Sequence, residues 1–136
     1  MIEVYTDGAA RGNPGDSASG FMVLSDGEVI KEHSVYNGTA TNNYAEYTAV
    51  ILALRWCEEH LPGRNDVDIK LYSDSELIIR QLNGTYKVKS KDLEPLNKEA
   101  SRLIKQFKRV LLNNVPRENT YITQVDRNLN LLLDKI

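Results

Sequence analysis

Apolar and polar residues alternate from Ile2 to Asp7, the period-two pattern of a strand with one buried face. A second apolar run, Ala18–Ser25, ends at Asp26–Gly27, a dipeptide suited to a tight hairpin turn, and Glu28–Tyr36 reads as the returning strand. These three segments predict an antiparallel meander, with the glycine-rich stretch from Gly8 to Gly15 as a loop that turns sharply away from Asp7. The long segment "TNNYAEYTAVILALRWCEEH" has no glycine or proline. In it Ala45, Ala49, Leu52, Ala53 and Trp56 recur at helical spacing, Thr41 or Asn42 can cap the start, and "LPGRND" ends it. Val67–Ser73 alternates cleanly and predicts a fourth strand; Asp74–Leu82 predicts a short amphipathic helix that stops near Asn83–Gly84. Leu93–Lys108 predicts a third helix and Val110–Val115 a fifth strand. Asp126–Ile136 predicts a closing helix with Leu129, Leu132, Leu133 and Ile136 on one stripe.

A meander followed by alternating helices and strands is an α/β arrangement, a mixed sheet with helices on its faces. A crossover through the long helix makes the fourth strand parallel to the first. The 136 residues predict a single domain over 1–136, with neither an internal repeat nor a low-complexity tract.

Charge changes this picture more than composition does. The formal net charge is −2, so the chain is not a polybasic nucleic-acid binder overall. Between Arg80 and Arg109, however, lysine and arginine far outnumber aspartate and glutamate, and the remainder is acidic. One basic segment on an acidic chain suits an anionic polymer together with a cation site. Cys57 is the sole cysteine, which excludes an internal disulfide and a cysteine-rich zinc site. No signal-peptide pattern and no long apolar run is present, so the expectation is a cytoplasmic protein without a membrane partner.

The candidate chemistry lies in carboxylates at the ends of predicted elements. Asp7 closes the first strand, Glu46 sits in the first turn of the long helix, Asp74 closes the fourth strand and Asp126 begins the last helix. Each alone has an ordinary explanation as a cap or a helix-dipole partner. If strands one and four are neighbours, Asp7 and Asp74 leave the sheet side by side, and the helix starts can add Glu46 and Asp126. Carboxylates so close raise one another's pKa and call for a cation. Magnesium prefers oxygen ligands and keeps waters for substrate phosphates; two such ions form a clamp for in-line phosphodiester displacement.

"YTDGAARGNPG", "TNNYAEYTAVILAL" and "LYSDSELIIRQLNG" resemble, in order and spacing, the successive motifs of type 1 ribonuclease H. "YKVKSKDLEPLNKEA" is similar to the segment of the short archaeal and bacterial members, which lack the long basic protrusion, and "VPREN" to the loop after the last strand. The resemblance implies a five-stranded mixed sheet with antiparallel first, second and third strands, the fourth and fifth parallel to the first, and helices on both faces. It implies an endoribonuclease that hydrolyses the RNA strand of RNA–DNA hybrids by two-metal catalysis, leaving 5′-phosphate and 3′-hydroxyl ends. Two Mg2+ ions would be bound with substrate, or Mn2+ in their place. Asp7 would bridge both metals, Glu46 and Asp74 would complete the site, and Asp126 would hold the nucleophile-side metal. The last motif departs from the pattern: the segment from Arg117 to Asp126 is longer than usual, and Ile122 stands where asparagine is common. The mobile histidine of longer members has no counterpart; His33 and His60 read as surface residues, and Arg117 occupies the matching loop.

A hybrid is distinguished by its 2′-hydroxyls, which suit short amides and backbone groups. By resemblance Asn13 and Asn43 would contact the minor groove, Thr41 and Asn13 a DNA phosphate, and Glu46 a ribose hydroxyl. Glu76 stands where many relatives carry glutamine. Gly8, Asn42, Ser75 and Arg117 complete the expected substrate-binding set; Asn42 and Asn43 are equally explained as helix caps. Lys87 and Lys89, with Lys91, alternate on a segment beside Tyr86 and read either as a phosphate track or as a solvated edge. Trp56 and Cys57 read as core, and the helical stripe Lys98, Arg102, Lys105 and Arg109 as the solvent face of the third helix. No obligate protein partner is evident, so the chain is expected to be a monomer. Two other readings of the same residues are a catalytically silent hybrid-binding domain and a related nuclease acting on other duplexes.

Overall fold

The first three strands form the expected antiparallel meander, but they run well past the apolar segments that predict them. The computed structural model describes residues 1–136, the side chain of Arg64 excepted. The strands are β1 (Ile2–Gly12), β2 (Gly15–Ser25), β3 (Glu28–Ala40), β4 (Asp68–Ser73) and β5 (Arg109–Asn114). The helices are α1 (Asn42–His60), α2 (Glu76–Leu82), α3 (Glu94–Ile104) and α4 (Thr120–Leu133). The sheet has five strands in the order β3-β2-β1-β4-β5, with β4 parallel to β1 and β5 parallel to β4.

The stretch after Asp7 is a strand and not a loop. β1 pairs with β2 without a break from Ile2↔Ser25 to Gly12↔Gly15, so Asp7 lies mid-strand opposite Gly20. Intrinsic strand propensity is low in "GAARG"; pairing with β2 imposes the extended form. Gly12, at φ 104, takes the conformation that lets the hairpin close around Asn13–Pro14. β4 pairs with β1 only as far as Thr6↔Ser73. Beyond it the edge of β1 is taken up by the start of α1, where the Ala10 N–H donates to Asn42 Oδ1 at 2.7 Å.

Helices cover both faces. α1, α2 and α3 enclose a core on one face that includes Val4, Val50, Leu54, Ile69, Leu71 and Leu103. On the other face Ile122, Val125, Leu129 and Leu133 of α4 pack on Tyr5, Ala18, Met22 and Leu24. Trp56, expected in the core, is half-buried and packs against it, with His60 stacked on its indole at 4.7 Å. Cys57 is fully buried. The four residues expected as a solvent stripe on the third helix are exposed, but α3 ends at Ile104, so only Lys98 and Arg102 lie on it while Lys105 caps it and Arg109 opens β5. Arg102 pairs with Glu99 and Arg109 with Asp68. Among the described residues no helix is long and apolar enough to cross a membrane.

Two helix starts differ from the sequence reading. α4 begins at Thr120, not Asp126, because the Asn119 side chain accepts from the Tyr121 and Ile122 N–H groups and the buried stripe begins at Ile122. α2 begins after Ser75, whose hydroxyl accepts from Ile78 N–H, so Asp74 lies in the junction between β4 and the cap.

Gly8 sets how closely α1 meets the sheet. A Cβ there would stand 2.3 Å from the Ala45 carbonyl carbon and 2.5 Å from the Glu46 nitrogen, both backbone atoms. Gly8→Ala is therefore expected to lower unfolding free energy by about 1–3 kcal/mol or more, the usual range for overpacking. Urea denaturation measures this.

Candidate active site

Where β4 ends beside the middle of β1, four acidic side chains converge. Asp7 comes from β1, Asp74 from the end of β4, Glu46 from α1 and Asp126 from α4. One carboxylate oxygen from each of Asp7, Glu46 and Asp74 lies within 4.8 Å of the others. Asp126 adjoins Asp7 closely enough to act on its carboxyl group, as Asp74 acts on Glu46. Neither helical carboxylate lies in a first turn: Glu46 projects one turn beyond the Thr41 cap, and Asp126 well beyond the Asn119 cap. Their role as simple dipole partners is weakened accordingly, because that effect fades beyond the first turn.

Local chemistry fixes each arm. Thr41 Oγ1 caps α1 through Tyr44 N–H. The buried Ser19, cross-strand from Gly8, donates its hydroxyl to the Ala45 carbonyl at 2.6 Å, fastening α1 to the sheet one residue before Glu46. Asn37 in turn donates to Ser19 Oγ at 2.8 Å. Val115 N–H and the Asn114 amide both donate to the Ser73 carbonyl, which braces the β4 end that carries Asp74. On α4, Asn130 donates to the Asp126 carbonyl, and Arg11 from β1 reaches both Asn130 and Asp134.

The cluster is electrostatically uncompensated. Asp7 is only 5 % exposed. Burial, then the charges of Asp74 and Asp126, push its pKa up to about 9, with the Gly8 N–H opposing the shift. Glu46 is raised well above its ordinary value by burial first and then by Asp7 and Asp74. Its Oε1 is sealed from solvent and has no hydrogen-bond partner. An orphaned buried carboxylate oxygen facing two further carboxylates is a hard, all-oxygen donor set, and it fits a divalent cation of the magnesium kind.

The four acids line an open cleft of about 1120 Å³. Gly8, Asn42, Asn43, Ser75, Glu76 and Arg117 line it too. Asn13 and Thr41 lie elsewhere, in a neighbouring cleft of about 620 Å³. The Asn13 oxygen accepts the Asn42 N–H, so that end of the side chain is committed to joining the hairpin to α1. Lys87 and Lys89 line a third cleft of about 610 Å³; Lys91 lines none of the three. Asn43 borders all three clefts. Glu76 accepts from Arg80 and from the Tyr86 hydroxyl, so it is partly neutralised before any ligand arrives. His33 and His60 are exposed and line none of these clefts. Burial pushes the Cys57 thiol up to about 12, away from nucleophilic use. No sequence signal marks Ser19, which carries no motif of its own, or Asn114, which shares the carboxylate cleft; Glu118, second to Asp126 as a fourth ligand because it precedes the expected helix, lines that cleft too.

The RNase H family model matches residues 1–126. The chain belongs to the RNase H family. It is 37% identical over 117 residues to a ribonuclease HI of Halobacterium salinarum, an alignment that covers 85% of this chain and 57% of that protein. It is 35% identical over 136 residues to a bifunctional protein of Mycobacterium tuberculosis, covering 98% of this chain and 35% of the relative. The chain thus spans between about a third and somewhat over half of these curated relatives. Among solved structures, the RNase H1 of Halobacterium salinarum superposes with a TM-score of 0.90 at 36% identity, covering 99% of this chain and 98% of that one. An RNase H1 isolated from compost, solved in complex with an RNA/DNA hybrid, superposes with a TM-score of 0.92 at 34% identity and the same coverage. The family is metal-dependent, and the carboxylate cluster can bind metal.

The raised carboxyl pKa values have a stability consequence of fixed sign. The folded, metal-free protein binds more protons than the unfolded chain between the ordinary carboxylate pKa and about 9, so stability falls as pH rises through that window. Melting temperature in EDTA is expected to drop from pH 5 to pH 9, and saturating Mg2+ to reverse the drop. Glu46→Gln is expected to melt higher than the unsubstituted protein at pH 8 in EDTA.

Proposed function

We propose that this chain is an RNA–DNA hybrid endoribonuclease, acting as a monomeric domain over residues 1–136 in the cytoplasm, with Mg2+ as its ion and Mn2+ as a substitute. The observation that carries the reading is the convergence of Asp7, Glu46, Asp74 and Asp126 in one open cleft, with an orphaned buried oxygen on Glu46. Family membership and the resemblance of the three acidic motifs support it.

Asp7, Glu46 and Asp74 would hold one ion, and Asp7 with Asp126 the other. Such ions supply a hydroxide-like nucleophile at neutral pH and neutralise charge on the leaving oxygen. The overall step is hydrolysis: water oxygen bonds to phosphorus and the P–O3′ bond breaks, leaving 5′-phosphate and 3′-hydroxyl ends. The chain's residues orient what reacts. β1 fixes Asp7 on a strand paired along its whole length, so the central ligand does not rearrange. Asn43, the Gly8 backbone and Glu46 lie beside the cluster, where a ribose 2′-hydroxyl can both give and accept hydrogen bonds. Arg117 stands at the cleft rim as a phosphate contact.

Labelled RNA–DNA hybrid, RNA duplex and DNA duplex, each with Mg2+, Mn2+ or EDTA, test the reading. Cleavage confined to the RNA strand of the hybrid, dependent on metal and abolished in Asp7→Asn, is the expected result. Tight hybrid binding without cleavage by the unsubstituted protein would instead favour a silent binding domain. Asp126→Asn is expected to lower kcat by about 100-fold or more, in line with the several kcal/mol that a metal ion contributes to charge stabilisation. A variant within a few-fold of the unsubstituted rate would remove Asp126 from the ligand set.

A further inference from the structure

Beneath the lysine cleft lies a buried polar relay that the cluster chemistry does not use. Tyr47, adjacent to Glu46 on α1, has a fully buried side chain. Its hydroxyl donates to Gln81 Oε1 of α2 at 2.6 Å and accepts from Asn97 Nδ2 of α3 at 3.1 Å. Three helices therefore meet at one hydroxyl. In this arrangement Asn97 donates through its amide nitrogen, the tyrosine proton goes to Gln81, and Gln81 accepts through its oxygen. That leaves the Gln81 NH2 end pointing the other way. Gln81 is 8 % exposed and lines the cleft shared by Tyr86, Lys87 and Lys89. Its amide nitrogen makes no hydrogen bond among the described residues and is not sealed from solvent, so it is open on the cleft side.

We propose that Tyr47 is a positioning residue for substrate binding, holding the Gln81 amide with both N–H groups toward the lysine cleft as a donor to a nucleic-acid phosphate oxygen. This assignment rests on the hybrid reading above. Lys87 and Lys89 supply the charge that attracts a phosphodiester backbone; a neutral amide of fixed orientation supplies the direction that flexible lysines lack. The cleft adjoins the carboxylates through Asn43, so a duplex cut at Asp7 extends into it. An amide free to rotate would present its oxygen to the phosphate half the time. The relay prevents this, and because it is buried it is stronger than a solvent-exposed bond.

Binding of a short RNA–DNA hybrid, measured by anisotropy in an Asp7→Asn background over a series of salt concentrations, tests the proposal. Gln81→Ala and Tyr47→Phe are each expected to weaken binding by about threefold to tenfold, the range of one hydrogen bond. The slope of log K against log salt should not change, because no cation is lost. Lys87→Ala or Lys89→Ala should lower that slope by about 0.9. The double variant Gln81→Ala/Tyr47→Phe should bind no more weakly than Gln81→Ala alone. With the catalytic carboxylates intact, the Tyr47→Phe defect should appear in KM and not in kcat, which a general loss of fold would not produce. Unchanged affinity in Gln81→Ala overturns the assignment, as does a Tyr47→Phe defect that persists once Gln81 is alanine. Failure of the parent protein to bind hybrid at all would overturn the hybrid reading itself, a distinct result.

Discussion

The contact on which everything else depends is the seating of the Ala45 carbonyl on the bare Cα of Gly8. A helix can approach a strand this closely only where the strand has no side chain. Ser19 then holds the carbonyl by a hydrogen bond from the neighbouring strand. The distance between α1 and β1 is thereby set by backbone and one short hydroxyl, not by compressible side chains. Because Glu46 is the next residue and Asp7 the preceding one, the same contact sets the spacing of two carboxylates. The core around Val4, Leu54 and Leu71 supports the seat from below.

Four acids in one cleft oppose folding, and the molecule resists that on both faces of the sheet. α1 is bolted at Ser19; β4 is braced by Asn114 and Val115; α4 is tied back to β1 through Arg11, Asn130 and Asp134. The Arg11 pair is exposed and contributes little energy by itself. Its effect is geometric: β1 carries Asp7 in its middle and the anchor for the Asp126 helix at its end. One strand therefore references both neighbours of its own carboxylate.

Element order, the mixed sheet and the four acids were legible because each leaves a local periodic mark. Alternation marks "EVYTD" and "DIKLYS", and helical spacing marks the α1 segment. What was misplaced lacks such a mark. "GAARG" looks like a loop because its strand form comes wholly from pairing with β2. The start of α4 is written mostly in polar residues, "NTYITQV", in which Ile122 and Val125 are the buried positions, so the periodic stripe points to a start at Asp126 inside a helix that already surrounds it. Asn13 and Thr41, expected by resemblance as a grip on a DNA phosphate, line a cleft next to that of the acids, and the Asn13–Asn42 hydrogen bond joins that end of the hairpin to α1. The Tyr47–Gln81–Asn97 relay joins three helices and has no footprint along the chain at all.

The central place of β1 in the sheet also governs when a working centre can exist. β1 precedes its partners in chain order, yet its carboxylate joins no cluster until strands from both sides and helices from both faces have closed on it. The parallel partner β4 joins two segments far apart in the chain, a pairing that forms late because loop closure must come first. α4, bearing Asp126, leaves the ribosome after the other three helices described. A half-folded chain thus holds its acids apart, and the four-carboxylate cluster arrives only with the finished architecture.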